Sequence, residues 1–166
     1  MSEIYEAVIV FGEPEVVHNA LAALGSTIEL RRILVVRNVS AIYRVAERDE
    51  PFKSGEMQSV ATSLSIPLEA ALLVFYDNRC GINAAFLFRN GLMVRQFGED
   101  DELWVRLDED GEPEMDGPHL TVDELEDAEE YERIRTPIDA GLTVLTGDVE
   151  VTAEAIKQAV CYGASS

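Results

Sequence analysis

Asp108, Asp110 and Glu112 have the one-three-five spacing that opens an EF-hand loop, whose chemistry is oxygen ligation of a hard divalent cation. The resemblance fails further along. The position that needs Gly for the sharp turn is Pro113, and the twelfth, where a bidentate Glu belongs, is His119. An EF-hand is excluded. The dense oxygen ligands leave at most a weak Ca²⁺ or Mg²⁺ site, and a solvated turn is the simpler reading. His18 and His119 are the only histidines, too few for a three-His zinc site and not in a His-Glu-x-x-His arrangement. Cys80, in Asp77-Asn-Arg-Cys-Gly81, would need a base folded against it to act as a nucleophile, and no local signature supplies one. The chain has no Gly-x-Gly-x-x-Gly, phosphate loop or Gly-x-Ser-x-Gly, so no nucleotide is expected and the expected cofactor set is none.

Charge is more informative. Residues 99 to 132 hold 17 of the 32 carboxylates and one basic residue, Arg106. That stretch supplies −16 of a net charge of −19, while the remainder holds 15 acids against 12 bases. Acidity this local reads as a surface directed at something. It repels phosphates, and the chain has no compensating basic cluster, so direct nucleic-acid binding is disfavoured. The leading expectation is a non-catalytic protein-binding or regulatory module whose acidic face engages a basic protein. A domain that blocks a basic nuclease or toxin, as bacterial immunity proteins do, is one concrete form, on charge and size alone. The expected contact residues are Asp108, Asp110, Asp123, Asp127 and Glu130, with Trp104 and Tyr131 as anchors. Three alternatives follow in order: a merely solvated acidic face, a nucleic-acid mimic, and a divalent-metal enzyme whose carboxylates converge.

The positioning elements are read from periodicity. Ala7 to Phe11 is a buried strand. Gly12-Glu-Pro-Glu15 opens a helix with Val17, Ala20, Leu21 and Leu24 on one face and Gly25 as its stop. Ile28 to Val36 and Val39 to Val45 form a hairpin about Arg37-Asn38, Glu56 to Ser65 a helix, and Leu68 to Tyr76 a strand. Strand, helix, two strands, helix and strand in that order resembles a split βαβ unit of the ferredoxin-like kind. That plan serves many functions and selects none.

Asn83 to Arg89 and Leu92 to Phe97 flank Asn90-Gly91, the strongest short hairpin signal. A two-residue loop puts Phe88 opposite Met93 and Phe86 opposite Arg95. Leu103 to Leu107 would extend this meander by one strand. An acidic loop from Asp108 to Pro118 then leads to a helix capped at Thr121, with Glu124 completing a capping box. Its like-charged pairs Asp123/Asp127 and Glu126/Glu130 each cost a few tenths of a kcal/mol, which folding alone would not choose. Thr136-Pro137 starts a helix stopped at Gly147, and a last helix runs from about Ala153 to Tyr162. Phe86, Phe88, Met93, Phe97 and Trp104 form either core or an apolar strip for a homodimer.

The expected class is α+β with a mostly antiparallel sheet, in one domain covering 1–166. No apolar run approaches the ~20 residues of a spanning helix, and the first residues lack a signal-peptide pattern. Cys80 and Cys161 lie far apart and read as small, partly buried thiols. A cytoplasmic protein with no membrane association is expected. Lysine is scarce, two among 13 basic residues, but a high-salt protein would spread its acids over the whole surface.

Overall fold

The computed structural model describes residues 3–25, 28–47, 50–97, 105–106, 134–148 and 150–163. Among the described residues eight strands and four helices run in chain order. They are β1 (Ile4–Phe11), α1 (Pro14–Ala22), β2 (Arg31–Val36), β3 (Val39–Val45), α2 (Ser54–Leu64), β4 (Ala70–Asp77), β5 (Ile82–Arg89), β6 (Leu92–Gln96), β7 (Val105–Arg106), β8 (Ile134–Arg135), α3 (Pro137–Thr146) and α4 (Ala153–Tyr162).

Six strands form one sheet in the order β2-β3-β1-β4-β5-β6. Every neighbouring pair is antiparallel. The first four strands with α1 and α2 have the strand order of the split βαβ plan. An antiparallel sheet commonly leaves one face to water. Here α1 and α2 cover one face, where Val17, Met57, Val60 and Leu64 pack on Val8, Ile42, Leu73 and Phe88. On the other face Ile138 and Leu142 of α3 and Ile156 and Val160 of α4 pack on Tyr5, Ile9, Leu72 and Leu87. Alternate residues of one strand thus enter two different cores. Double coverage explains why β1 and β4 read as near-continuous apolar runs and not as alternating ones.

The C-terminal helices follow their local chemistry. Thr136 caps α3 by accepting the Asp139 N–H at 3.2 Å, and Pro137 takes the first turn. Gly147, at φ 73°, ends it and donates its N–H to the Thr143 carbonyl at 2.7 Å. Thr152 caps α4 through the Ala155 N–H at 3.2 Å. Gly141 lets α3 lie close on the sheet, since a Cβ there would sit 2.9 Å from Leu72 Cδ1 and 3.2 Å from Ala85 Cβ. At the β5–β6 tip Asn90 and Gly91 have φ 52° and 83°, as the expected tight hairpin turn requires. Ser65, fully buried after α2, holds that tip. Its Oγ accepts the Gly91 N–H at 2.8 Å and its carbonyl the Asn90 N–H at 3.2 Å.

Several expectations need correction. Gly25 does not stop α1. The helix ends at Ala22 with Ala23 in right-handed conformation, and the Leu24 N–H bonds the Leu21 carbonyl at 3.0 Å in a tightened last turn. β1 begins at Ile4, three residues early, and so includes Glu6, while β2 begins only at Arg31. In the β5–β6 hairpin Phe88 does face Met93, but a bulge sets Leu87 opposite Arg95 and Phe86 opposite Gln96, leaving Val94 as the extra residue. The meander also ends at β6. Val105–Arg106 pairs with Ile134–Arg135, an antiparallel partner that wins over the edge of the main sheet.

The aromatic set does not form one strip either. Phe88 and Phe97 are buried in opposite cores, Phe86 is half-buried and Met93 is exposed. Cys80 is exposed and not partly buried, because the turn after β4 carries it outward, while Cys161 on α4 is partly buried.

Candidate functional site

The buried polar groups are the natural place to look for chemistry, since each must be satisfied or explained. Glu6, Ser65 and Asn83 are joints between sheet and helices. Asn83 of β5 accepts the Ile138 N–H at 3.0 Å and so receives the start of α3. Thr143 Oγ1 donates to the Asp139 carbonyl at 3.0 Å. Asp77 closes the β4–β5 turn by accepting the Arg79 backbone N–H at 2.9 Å and its Nη2 at 3.2 Å. Burial pushes the Asp77 carboxyl up, but Arg79 and the Cys80 thiol outweigh it and hold it below the ordinary carboxylate range. Ser40 Oγ is buried without a partner, at β3 positions facing Val10 and Leu34.

Among the described residues a buried charge cluster joins β1, β3 and α2. Glu6 and Arg44 are directly opposed across the β1–β3 ladder, and Arg44 Nη1 donates to Glu6 Oε2 at 2.6 Å. Glu6 is fully buried and Arg44 nearly so. Glu6 also accepts the Lys53 backbone N–H, at 2.9 and 3.1 Å to its two oxygens. Lys53 is the N-cap position of α2 and brings no side-chain cap, so a carboxylate from β1 stands at the positive end of the helix dipole instead. Burial raises the Glu6 pKa above the ordinary value, against the Lys53 N–H and Arg44, which lower it. The second guanidinium nitrogen, Arg44 Nη2, pairs with Glu50 Oε2, and Glu50 Oε1 accepts the Glu47 N–H at 2.9 Å.

Arg44 is thereby the floor of a groove of about 620 Å³ at the end of the sheet. Arg31 and Lys53 add positive charge to its walls, and Glu29, Glu47 and Glu50 add negative charge. Both Glu6 oxygens are engaged, by Arg44 and by the Lys53 N–H.

A second network ties the chain's two ends together. Tyr162 donates its hydroxyl to Glu3 Oε2 at 2.7 Å, and Lys157 Nζ lies 2.8 Å from Glu154 and 3.7 Å from Glu3. Burial pushes the neighbouring Cys161 thiol up to about 11, with Glu3 adding to it and Lys157 opposing, so it stays protonated and unreactive.

No group of three or more His, Cys, Asp and Glu that could hold a metal occurs among the described residues. None of the described helices is long and apolar enough to cross a membrane. His18 is exposed on α1. The expected contact residues Trp104, Asp108, Asp110, Asp123, Asp127, Glu130 and Tyr131, and the helix expected from Thr121, lie outside the described residues.

No protein-family model matches the chain, and neither does any curated protein or solved structure. The site must therefore be argued from its own residues. The Glu6–Arg44 pair escaped the reading of the sequence, which began β1 after Glu6 and placed Arg44 in the Val39 to Val45 strand without a functional role. The usable signal was one acid and one base, each inside a strand of branched residues, at positions that register across a ladder.

Proposed function

We propose that this chain is a non-catalytic, cytosolic protein-binding module whose 99–132 stretch engages a basic partner protein, of the kind a nuclease or toxin presents. One observation carries the reading: −16 of the net −19 lies in that stretch, while the rest of the chain is close to balanced. At physiological salt the Debye length is ~8 Å, so acids packed along one segment act together on an approaching basic surface. They speed encounter and filter out acidic competitors.

The topology of the described residues is in keeping with this. β7 and β8 pair Val105 with Arg135 and Arg106 with Ile134, so the two ends that flank residues 107–133 lie side by side. Among the described residues, both apolar layers draw on the chain up to Phe97 and from Ile138 onward. Trp104 and Tyr131 supply the aromatic anchors, and Asp108, Asp110, Asp123, Asp127 and Glu130 the charge.

The test is affinity capture at low and moderate salt with the wild type and with a D123N/D127N/E130Q variant. The variant is expected to keep its stability or gain a few tenths of a kcal/mol per relieved pair. A basic protein retained by the wild type at moderate salt should be lost or captured more slowly by the variant, and duplex DNA should not displace it. Displacement by DNA of any sequence would convert the reading to a nucleic-acid mimic. Equal capture by both proteins would leave the acids a solvated face.

A further inference from the structure

The described lining of the groove over Arg44 comes from residues 28–53 and not from the acidic stretch, and its bonding pattern is that of a carboxylate seat with its seat taken. Glu50 places one oxygen on a backbone N–H, that of Glu47 at 2.9 Å, and the other on the Arg44 guanidinium. A guanidinium beside a main-chain donor is a general means of holding a carboxylate. The seat is rigid from below, because Glu6, wholly buried, fixes the other guanidinium nitrogen at 2.6 Å. The occupant is not rigid in the same sense, since the Glu50 side chain is 41 % exposed. Arg31 and Lys53 line the same groove, and among the described residues neither side chain makes an ion pair or hydrogen bond.

We propose that this groove receives a small dicarboxylate, which takes the seat on Arg44 and the Glu47 N–H from Glu50. Its volume of about 620 Å³ lies in the range of small-molecule sites. A monocarboxylate would only repeat the two bonds Glu50 already makes, and would compete with a tethered group at an effective concentration on the order of mM. A second carboxylate adds what Glu50 lacks, an ion pair with Lys53 or Arg31. Glu29 and Glu47 on the same walls set the upper limit, because they oppose a more highly charged anion such as a triphosphate.

Amide chemical shifts of the ¹⁵N-labelled full chain, titrated with succinate or acetate at constant ionic strength, test this. Succinate should shift the Glu47 and Lys53 amides and bind about tenfold more tightly than acetate, the scale of one charge-assisted hydrogen bond. Glu50→Gln removes the internal competitor and should tighten both ligands by a similar factor. The double variant R31M/K53M should erase the preference for succinate while remaining folded, with a melting temperature that falls only slightly because Lys53 also offsets the Glu6 charge. Equal affinity for the two anions, an E50Q protein that binds no better, or shifts confined to other parts of the chain would overturn the proposal. Arg44 is left intact throughout because its loss strands Glu6.

Discussion

Replacing Arg44 by Met tests whether the Glu6–Arg44 pair is the electrostatic joint between sheet and α2. The side chain that remains would be Glu6, fully buried, with the Lys53 N–H and the charge of the Lys53 side chain to offset its own. Removing one partner of a buried pair costs about 3–5 kcal/mol, because it leaves the other charge uncompensated. Arg44 keeps slight solvent access, so the lower end, about 3 kcal/mol, is expected. For a chain of 166 residues that is a fall of roughly 6–12 °C in Tm.

The pH dependence has a definite sign. Burial already raises the Glu6 pKa in the fold, and Arg44 is one of the groups holding it down, so the variant raises it further. A folded state that binds the proton more tightly than the unfolded chain loses stability as pH rises between the unfolded and folded pKa values. The R44M deficit should therefore be largest at neutral pH and shrink on acidification. Adding Glu6→Gln keeps an acceptor for Lys53 and removes the charge, so E6Q/R44M should recover most of the loss and its extra pH dependence. Urea unfolding followed by far-UV circular dichroism at several pH values down to mild acidity measures all three proteins. A loss under about 1 kcal/mol, or a deficit that is flat or grows toward acid, would refute the reasoning.

Gly141→Ala sets helix propensity, a gain of about 1 kcal/mol, against overpacking on Leu72 and Ala85, a cost of about 1–3. Net destabilisation is expected in denaturant melts, and a more stable variant would show that α3 does not sit as close as described. At mildly alkaline pH a thiol reagent should label exposed Cys80 quickly and Cys161, whose pKa is pushed up to about 11, slowly, with mass mapping to tell them apart. Faster labelling of Cys161 would contradict its burial on α4.

Features written in local chemistry were readable from the chain. Thr136-Pro137 and Gly147 bounded α3, α4 ran from Ala153 to Tyr162, and Asn90-Gly91 turned the β5–β6 hairpin where expected. What escaped depends on contacts distant in sequence. The α1 stop was assigned to Gly25 because glycine usually closes helices, yet a tightened turn at Leu24 ended it sooner. The bulge that moves Phe86 from Arg95 to Gln96 has no turn residue to announce it. β7 found Ile134–Arg135, 28 or more residues away, which no periodicity within Leu103 to Leu107 encodes. The groove depends on Glu6 and Arg44 meeting across 38 residues. The acidic contact residues were legible as composition alone.

Sheltering the sheet on both faces has a consequence for synthesis. The first 97 residues contain every strand of the main sheet and the two helices for one face only. The other face presents Tyr5, Ile9, Leu72 and Leu87, and the side chains that cover it, Ile138 to Val160, are added last. At about 5–20 residues per second, the stretch from Phe97 to Val160 takes roughly 3–13 s to emerge. For that interval a nascent chain lacks the α3 and α4 side chains that pack on this face, and exposed apolar surface is what makes folding chains prone to aggregate. The segment leaving the ribosome in that window is the one that brings in −16. Like-charge repulsion between neighbouring nascent chains is therefore at its strongest while that face awaits α3 and α4.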